Sequence, residues 1–329
     1  MSKIAIIGSG SWGVAIGNHL ADTGADVRIW SFSEKERDMI NDEHKSPFMP
    51  DIKLNPTMLC SCDIEYIVNE SDIIFHVTPS KFTRDTFKTY KDFVGNKPII
   101  ICSKGFEDAT LSTLDTVIKE ELPSARIGAL SGPSYATEVI KKIPTAVILA
   151  SKDDDILEEV STLLSNEYMR IYKSHDIVGV EVGGALKNII AFCAGICTEL
   201  NLGTNAQSAL ITRGLAEIAR LGVKMGGNIE TFYGLSGLGD LILTCSSDES
   251  RNRRAGRLIG KGLSIEEARK EIGMTIESVD NIQIAKKLSE KYNIDMPIVN
   301  AVYNVLYNGL TPIEAGKQLM TRELKFENN

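Results

Sequence analysis

Four histidines and six cysteines in 329 residues leave little material for a metal centre or a disulfide framework. Cys60, Cys62, Cys102, Cys193, Cys197 and Cys245 form no pair of CxxC motifs at zinc spacing, and Cys193 and Cys197 fall on the apolar stripe of a helical segment. Free thiols in a reducing cytosol are expected. His19, His44, His76 and His175 offer no catalytic triad and read as structural, and Asp153, Asp154 and Asp155 read as a loop and helix start rather than a metal site. Positive charge is also scarce: 36 Lys and Arg against 44 Asp and Glu give a formal net charge of -8. That balance argues against a general nucleic-acid or anionic-membrane binder, so an anionic ligand needs a local basic cluster. The longest uncharged apolar run, 188–198, is far too short to cross a membrane. The opening MSKIAIIG enters a strand without a basic region and apolar signal segment, so a cytoplasmic protein is expected. There is no internal repeat and no low-complexity segment, which argues against a solenoid or a disordered interaction arm.

What is present is ordinary globular composition, 43% hydrophobic and 24% charged, long enough for two domains. The first half alternates β-branched runs with helical stretches: Ile4 to Ile7, Val27 to Trp30, Ile73 to Val77, Ile99 to Cys102, Ile127 to Leu130, Ala146 to Leu149 and Met169 to Tyr172. This pattern predicts an α/β domain with a parallel-rich sheet wrapped by helices. Pro47, Pro50 and Pro56 bracket a loop. Beyond about Asp176 helical period takes over, giving an all-α second domain and the division 1–178 and 179–329. Its first helix carries Val182, Ala185, Leu186, Ile189, Cys193, Ile196, Cys197 and Leu200 on one face. Another face holds Gly183, Gly184, Lys187, Asn188, Ala191, Ala194 and Gly195, small residues that admit a backbone or a ligand beside one ammonium and one amide. Further on, a helix from Asn205 to Leu221 is expected to stop at Gly222, Ser264 and Glu267 make a capping box, and Thr311 and Pro312 start a last helix. The tail after Leu324 is expected to fray.

Gly8-Ser9-Gly10-Ser11-Trp12-Gly13 follows the Lys3 to Ile7 strand and opens a helix to about Thr23, with Gly24 as its stop. This is a Rossmann dinucleotide fingerprint in its required context. Gly8 permits the tight turn, Gly10 admits the pyrophosphate, Gly13 lets helix and strand pack, and the helix N-terminus attracts the anion. At the end of the second strand, where NAD is told from NADP, stands Trp30-Ser31-Phe32-Ser33-Glu34. Glu34 either turns inward and selects NAD or serves as a dipole-compensating surface group. The reading leans to NAD.

The segment from Gly234 to Gly256, GLSGLGDLILTCSSDESRNRRAG, sets Asp240 among Leu238, Leu241, Ile242 and Leu243, shortly before Arg251, Asn252, Arg253 and Arg254. A carboxylate in such apolar surroundings needs a cationic partner from elsewhere in the chain. The arginine run suits phosphate or carboxylate, although an Arg-rich stretch can also be a solvated surface.

Seven stretches together carry a family resemblance: GSGSWG at 8–13, VTPSKF at 77–82, SKGFE at 103–107, LSGPSYATEV at 130–139, GVEVGGALKNIIA at 179–191, ALITRGLAEIARLG at 209–222, and the Gly234 to Gly256 segment. The chain resembles the NAD(P)-dependent glycerol-3-phosphate dehydrogenases of the bacterial type over almost its whole length. The resemblance implies a Rossmann-type first domain, a helical second domain, and reversible hydride transfer between dihydroxyacetone phosphate and sn-glycerol 3-phosphate by a cytoplasmic homodimer that supplies phospholipid synthesis. It implies that Lys187 is the general acid/base, with Lys104 and Asp240 beside it. Arg251 and Asn252 match the substrate-phosphate site, with Gly132, Ser134, Thr244 and Ser250 as polar neighbours, and Arg253 and Arg254 fall outside it or on the surface. Ser11, Trp12, Phe32, Ser33, Phe48, Lys104, Ala136, Arg251 and Glu277 fall at cofactor positions, and Glu277 also reads as a helix-start acid. Phe32 and Ser33 stand where the family often has a basic residue, which puts firm NADP preference in doubt. Another 2- or 3-hydroxy acid dehydrogenase, or a non-catalytic dinucleotide sensor, are the alternatives.

Overall fold

The computed structural model describes residues 1–324, 326 and 327; of the tail expected to fray, 325, 328 and 329 lie outside the described residues, while the Glu327 carbonyl accepts from Arg213 at 3.2 Å. Eight strands form one sheet: β1 (Lys3–Ile7), β2 (Asp26–Trp30), β3 (Leu59–Ser61), β4 (Ile73–His76), β5 (Pro98–Ile101), β6 (Arg126–Ser131), β7 (Thr145–Ser151) and β8 (Met169–Ser174). Their order is β3-β2-β1-β4-β5-β6-β7-β8. Successive residues face opposite sides, so Ile4 and Ile6 join one buried cluster while Ala5 and Ile7 join another. Helices cover both faces, and the central strands therefore read as nearly continuous apolar runs.

Two features depart from the sequence reading. The three-residue edge strand β3 is too short to show alternation, and it follows the proline-bracketed loop. The pairing of β6 with β7 is antiparallel, so β7 and the parallel-paired β8 run against the other six.

After β8 the chain is helical. The helix Ile177–Glu199 is long and apolar enough to cross a membrane by length and composition, although Glu181 and Lys187 interrupt it and leave 188–198 as its longest uncharged run, as read. It is instead the central core element, buried on nearly every face. Its small residues form a seam: a Cβ on Gly195 would lie 2.0 Å from the Arg253 carbonyl oxygen, and one on Gly256 would lie 1.8 Å from that of Phe192. Only glycine permits that crossing with the helix Arg251–Gly260. Gly222 does not end its helix, which runs Gly203–Lys224. A Cβ there would meet the Phe232 ring at 2.1 Å, so this glycine serves packing. The Ser264 and Thr311 capping boxes form as read.

From the helix Gly203–Lys224, buried Glu217 accepts the Ile298 and Val299 amides at 2.8 and 3.3 Å, capping the helix Pro297–Tyr307. Burial pushes its carboxyl up to about 7 against the opposing pull of those amides. A carboxyl raised in the folded state stabilises below its unfolded pKa and loses that contribution as pH rises through the folded value. Glu217 is therefore expected to remove on the order of 3 kcal/mol between pH 4.5 and 8. Buried Glu181 acts in the same direction. Denaturation midpoints across that range should fall less steeply in Glu217→Gln than in the wild type; parallel curves would show that Glu217 does not titrate there.

Candidate active site

The site gathers at the carboxyl ends of the parallel strands, where an open α/β sheet leaves a crevice. After β1, Gly8 adopts φ 124° and a Cβ on it would lie 3.1 Å from the Val77 carbonyl carbon, while one on Gly13 would lie 2.0 Å from the Gly8 oxygen. A Cβ on Gly10 meets nothing within 4 Å, so that face of the turn is open. The helix Ser11–Asp22 starts there with no side-chain cap, leaving its first amides free for an anion. These residues fit a dinucleotide pyrophosphate. Trp12 and Ala136, the latter opening the helix Ala136–Ile140, pack against the cluster beneath this turn.

After β2, Phe32 is 90% exposed and Ser33 caps the helix Glu34–Asp38 by accepting the Glu36 amide. Of the two roles open to Glu34, the surface one holds: its side chain is 79% exposed and faces Arg37. Glu36 is the acid that turns inward, accepting a hydrogen bond from Ser31 at 2.9 Å and another from Ser9. Phe48 lies half exposed in a turn held by its amide donating to Ser46 Oγ. No hydrogen bond joins Phe32 or Phe48 to the charged centre among the described residues.

That centre is an ammonium-carboxylate-ammonium chain. Asp240, 1% exposed, begins the helix Asp240–Ser246. Its Oδ1 accepts from Lys187 Nζ at 2.6 Å and its Oδ2 from Lys104 Nζ at 2.6 Å. Lys187 comes from the long core helix and is 6% exposed, whereas Lys104 follows β5 in the sheet. Thr244, one turn after Asp240, accepts from Lys187 at 2.6 Å and donates to the Asp240 carbonyl at 2.6 Å. Burial lowers the Lys187 ammonium pKa, Asp240 opposes, Lys104 assists, and the result lies below the ordinary lysine value. Burial alone would raise the Asp240 carboxyl, but Lys104 and Lys187 more than offset it and hold it below the usual range. Two ammoniums share the one Asp240 carboxylate at contact range, with the charge of Glu277 also felt by Lys187, and together they offer donors suited to an oxyanion.

Around this chain, the Gly132 carbonyl accepts from Lys104 at 3.5 Å and from Ser134 Oγ at 3.0 Å. Gly132 takes φ 132°. Glu277, first in the helix Glu277–Lys291, accepts from Asn188 Nδ2 at 2.6 Å, next to Lys187 in sequence, and Asn252 Oδ1 accepts the Ser278 amide at 2.9 Å. Ser250 caps the helix Arg251–Gly260. The side chain of Arg251, its first residue, makes no hydrogen bond or ion pair among the described residues and keeps its donors free. Arg253 is buried, bonded to Asp248 and Thr198, while Arg254 is exposed. Of the four apolar residues around Asp240, Ile242 faces outward, because two positions along a helix turn to the opposite side.

The sequence reading missed Glu36, Asn188 as the holder of Glu277, and Ser131. The Ser131 hydroxyl is buried without a partner among the described residues, at 2.9 Å from where a Gly184 Cβ would lie. It stands within a quoted motif, but nothing in its spacing marks it.

A fingerprint turn at the carboxyl end of the interior strand β1 and a buried lysine paired with a carboxylate define a dinucleotide-dependent oxidoreductase. The family models for the N-terminal and C-terminal parts of NAD-dependent glycerol-3-phosphate dehydrogenase match residues 3–157 and 176–317. The chain is 47% identical over 332 residues to glycerol-3-phosphate dehydrogenase, NAD(P)+, of Bacillus cereus, covering 99% of this chain and 98% of that one. It is 42% identical over 331 residues to the enzyme of the same name from Agathobacter rectalis, covering 100% and 98%. The crystal structure of glycerol-3-phosphate dehydrogenase from Coxiella burnetii superposes with a TM-score of 0.94 at 37% identity, covering 98% of this chain and 99% of that one. The chain belongs to the NAD-dependent glycerol-3-phosphate dehydrogenase family.

Proposed function

We propose that this enzyme reversibly reduces dihydroxyacetone phosphate to sn-glycerol 3-phosphate with NADH or NADPH, supplying the backbone of glycerophospholipids. The observation that carries the reading is Lys187, buried, hydrogen-bonded and shifted toward neutrality beside Asp240. The bound nicotinamide supplies or accepts the hydride. Lys187 donates the proton that the carbonyl oxygen requires as it becomes an alkoxide, and takes it back in the reverse direction. Lys104 adds positive charge near that oxygen, and Asp240 orients both ammoniums. Thr244 fixes the direction of the Lys187 head. Arg251 and Asn252, with Ser250, Gly132 and Ser134 as polar neighbours, hold the substrate phosphate; the free guanidinium of Arg251 supports this. The fingerprint residues Gly8, Gly10, Ser11, Trp12 and Gly13 hold the pyrophosphate, Phe32, Ser33 and Phe48 flank the adenosine end, and Lys104, Ala136, Arg251 and Glu277 face the nicotinamide side.

Residues 1–178 are read as the cofactor domain and 179–329 as the substrate domain; the change from sheet to helix between Ser174 and Ile177 supports a division there, with the 178/179 boundary two residues inside the core helix. A cytoplasmic homodimer is the assembly we infer from the family resemblance.

Initial rates of NADH and NADPH oxidation test the reading. Turnover with dihydroxyacetone phosphate should far exceed turnover with unphosphorylated dihydroxyacetone. Arg251→Ala should lose about 10-fold to 100-fold more in kcat/KM on the phosphorylated ketone than on the other, the worth of one charge-assisted contact, since any lost cofactor contact affects both alike. Equal losses on both would reject phosphate recognition by Arg251; silence of the folded wild type with both cofactors would reject the reaction.

A further inference from the structure

The acid that reaches the dinucleotide turn comes from the helix after β2 rather than from the strand end. Glu36 Oε2 accepts from Ser31 Oγ and from Ser9 Oγ, and Ser9 lies inside the Gly8 to Gly13 turn itself. Ser31 Oγ also accepts the Ser33 amide at 3.1 Å, and Ser33 Oγ accepts the Glu36 amide at 3.3 Å. The carboxylate is thus tied at both ends, backbone and head group, against the floor of the turn. Its Oε1 accepts no bond among the described residues.

We propose that Glu36 is the residue that sets cofactor choice, accepting the adenosine ribose 2'-hydroxyl through Oε1 and repelling a 2'-phosphate, so that the enzyme favours NAD over NADP. The inference rests on the cofactor assignment above and adds the determinant of its specificity. A ribose hydroxyl can donate to a carboxylate, whereas a phosphate brings only acceptors and negative charge. The surroundings offer that phosphate little compensation. Phe32 carries no charge, and Arg37 is turned to Glu34 and Asp38 at 3.7 and 2.8 Å. Lys35 is exposed, and a solvated ammonium offsets a carboxylate only weakly.

Calorimetric binding of 5'-AMP and adenosine 2',5'-bisphosphate to the full-length wild type and to Glu36→Gln tests this, alongside the NADH to NADPH ratio of kcat/KM. The wild type should bind 5'-AMP more tightly, and Glu36→Gln should move the ratio toward the bisphosphate by about 10-fold, a conservative figure for removing one like charge at contact range. Glu36→Ala should move it in the same direction, which guards against a glutamine-specific folding defect. Stronger bisphosphate binding by the wild type would overturn the proposal, as would an unchanged ratio in either folded variant. Neither nucleotide contains the nicotinamide or the ketone, so this outcome stands apart from failure of the dehydrogenase assay.

Discussion

Lys187→Ala should lower kcat for reduction of dihydroxyacetone phosphate by about 100-fold to 10,000-fold, the usual worth of a positioned general acid, with the fold retained. The fold should survive because removing the Lys187 ammonium leaves Asp240 paired with Lys104 at 2.6 Å, so no uncompensated charge remains buried. Cofactor binding should persist too, since the fingerprint turn lies on β1 and its helix rather than on the helix carrying Lys187. The pH profile of the wild type fixes the sign. Reduction needs the ammonium, so its rate should be level below the Lys187 pKa and fall as pH rises through it. Oxidation of glycerol 3-phosphate needs the free amine and should rise over the same interval. Because that pKa lies below the ordinary lysine value, both limbs should appear at lower pH than a solvent-exposed lysine would give. Near-wild-type turnover in a folded Lys187→Ala enzyme would contradict this assignment.

Asp240→Asn should be the more damaging change, because it acts on stability and chemistry together. Asp240 is the shared acceptor of two ammoniums, and without its charge Lys187 keeps Thr244 as its other hydrogen-bond acceptor. Breaking a buried ion pair in this way costs about 3 to 5 kcal/mol. Relief comes by deprotonation: with the Asp240 carboxylate gone, burial and Lys104 lower the Lys187 pKa further, opposed only by the charge of Glu277. The reduction limb should therefore move to lower pH, leaving little active acid at neutrality, while a depressed melting temperature reports the stability loss. A variant as stable as the wild type with an unmoved pH limb would show that Asp240 does not tune Lys187. The two substitutions are coupled through one hydrogen-bond chain, so their effects should be strongly non-additive in the double variant.

The parts of this account that were legible in the sequence are those whose chemistry is local. The Gly8 to Gly13 turn follows a strand and opens a helix within a few residues, so its spacing alone announces it. Lys187 stood out as the one ammonium on a face of small residues, and Asp240 as a carboxylate whose cationic partner had to come from far away. The partner Lys104 lies 136 residues distant, a pairing that no period reveals and that here came from family motifs. Strand direction was less accessible: β7 and β8 have the same β-branched character as the parallel strands, and only the path of the connecting chain reverses them. Glu36 escaped because a strand-end rule looks at Trp30 to Glu34, whereas the acid reaches back from the following helix. Glycines misled where packing rather than turning required them, as at Gly222, which sits within its helix under Phe232.

The most direct test of the central claim is a crystal structure of the enzyme with NAD and sn-glycerol 3-phosphate. The substrate C2 hydroxyl should lie within about 3 Å of Lys187 Nζ, the reach needed for proton transfer, and the phosphate against Arg251 and Asn252. A C2 hydroxyl turned away from Lys187, or a phosphate seated elsewhere, would contradict it.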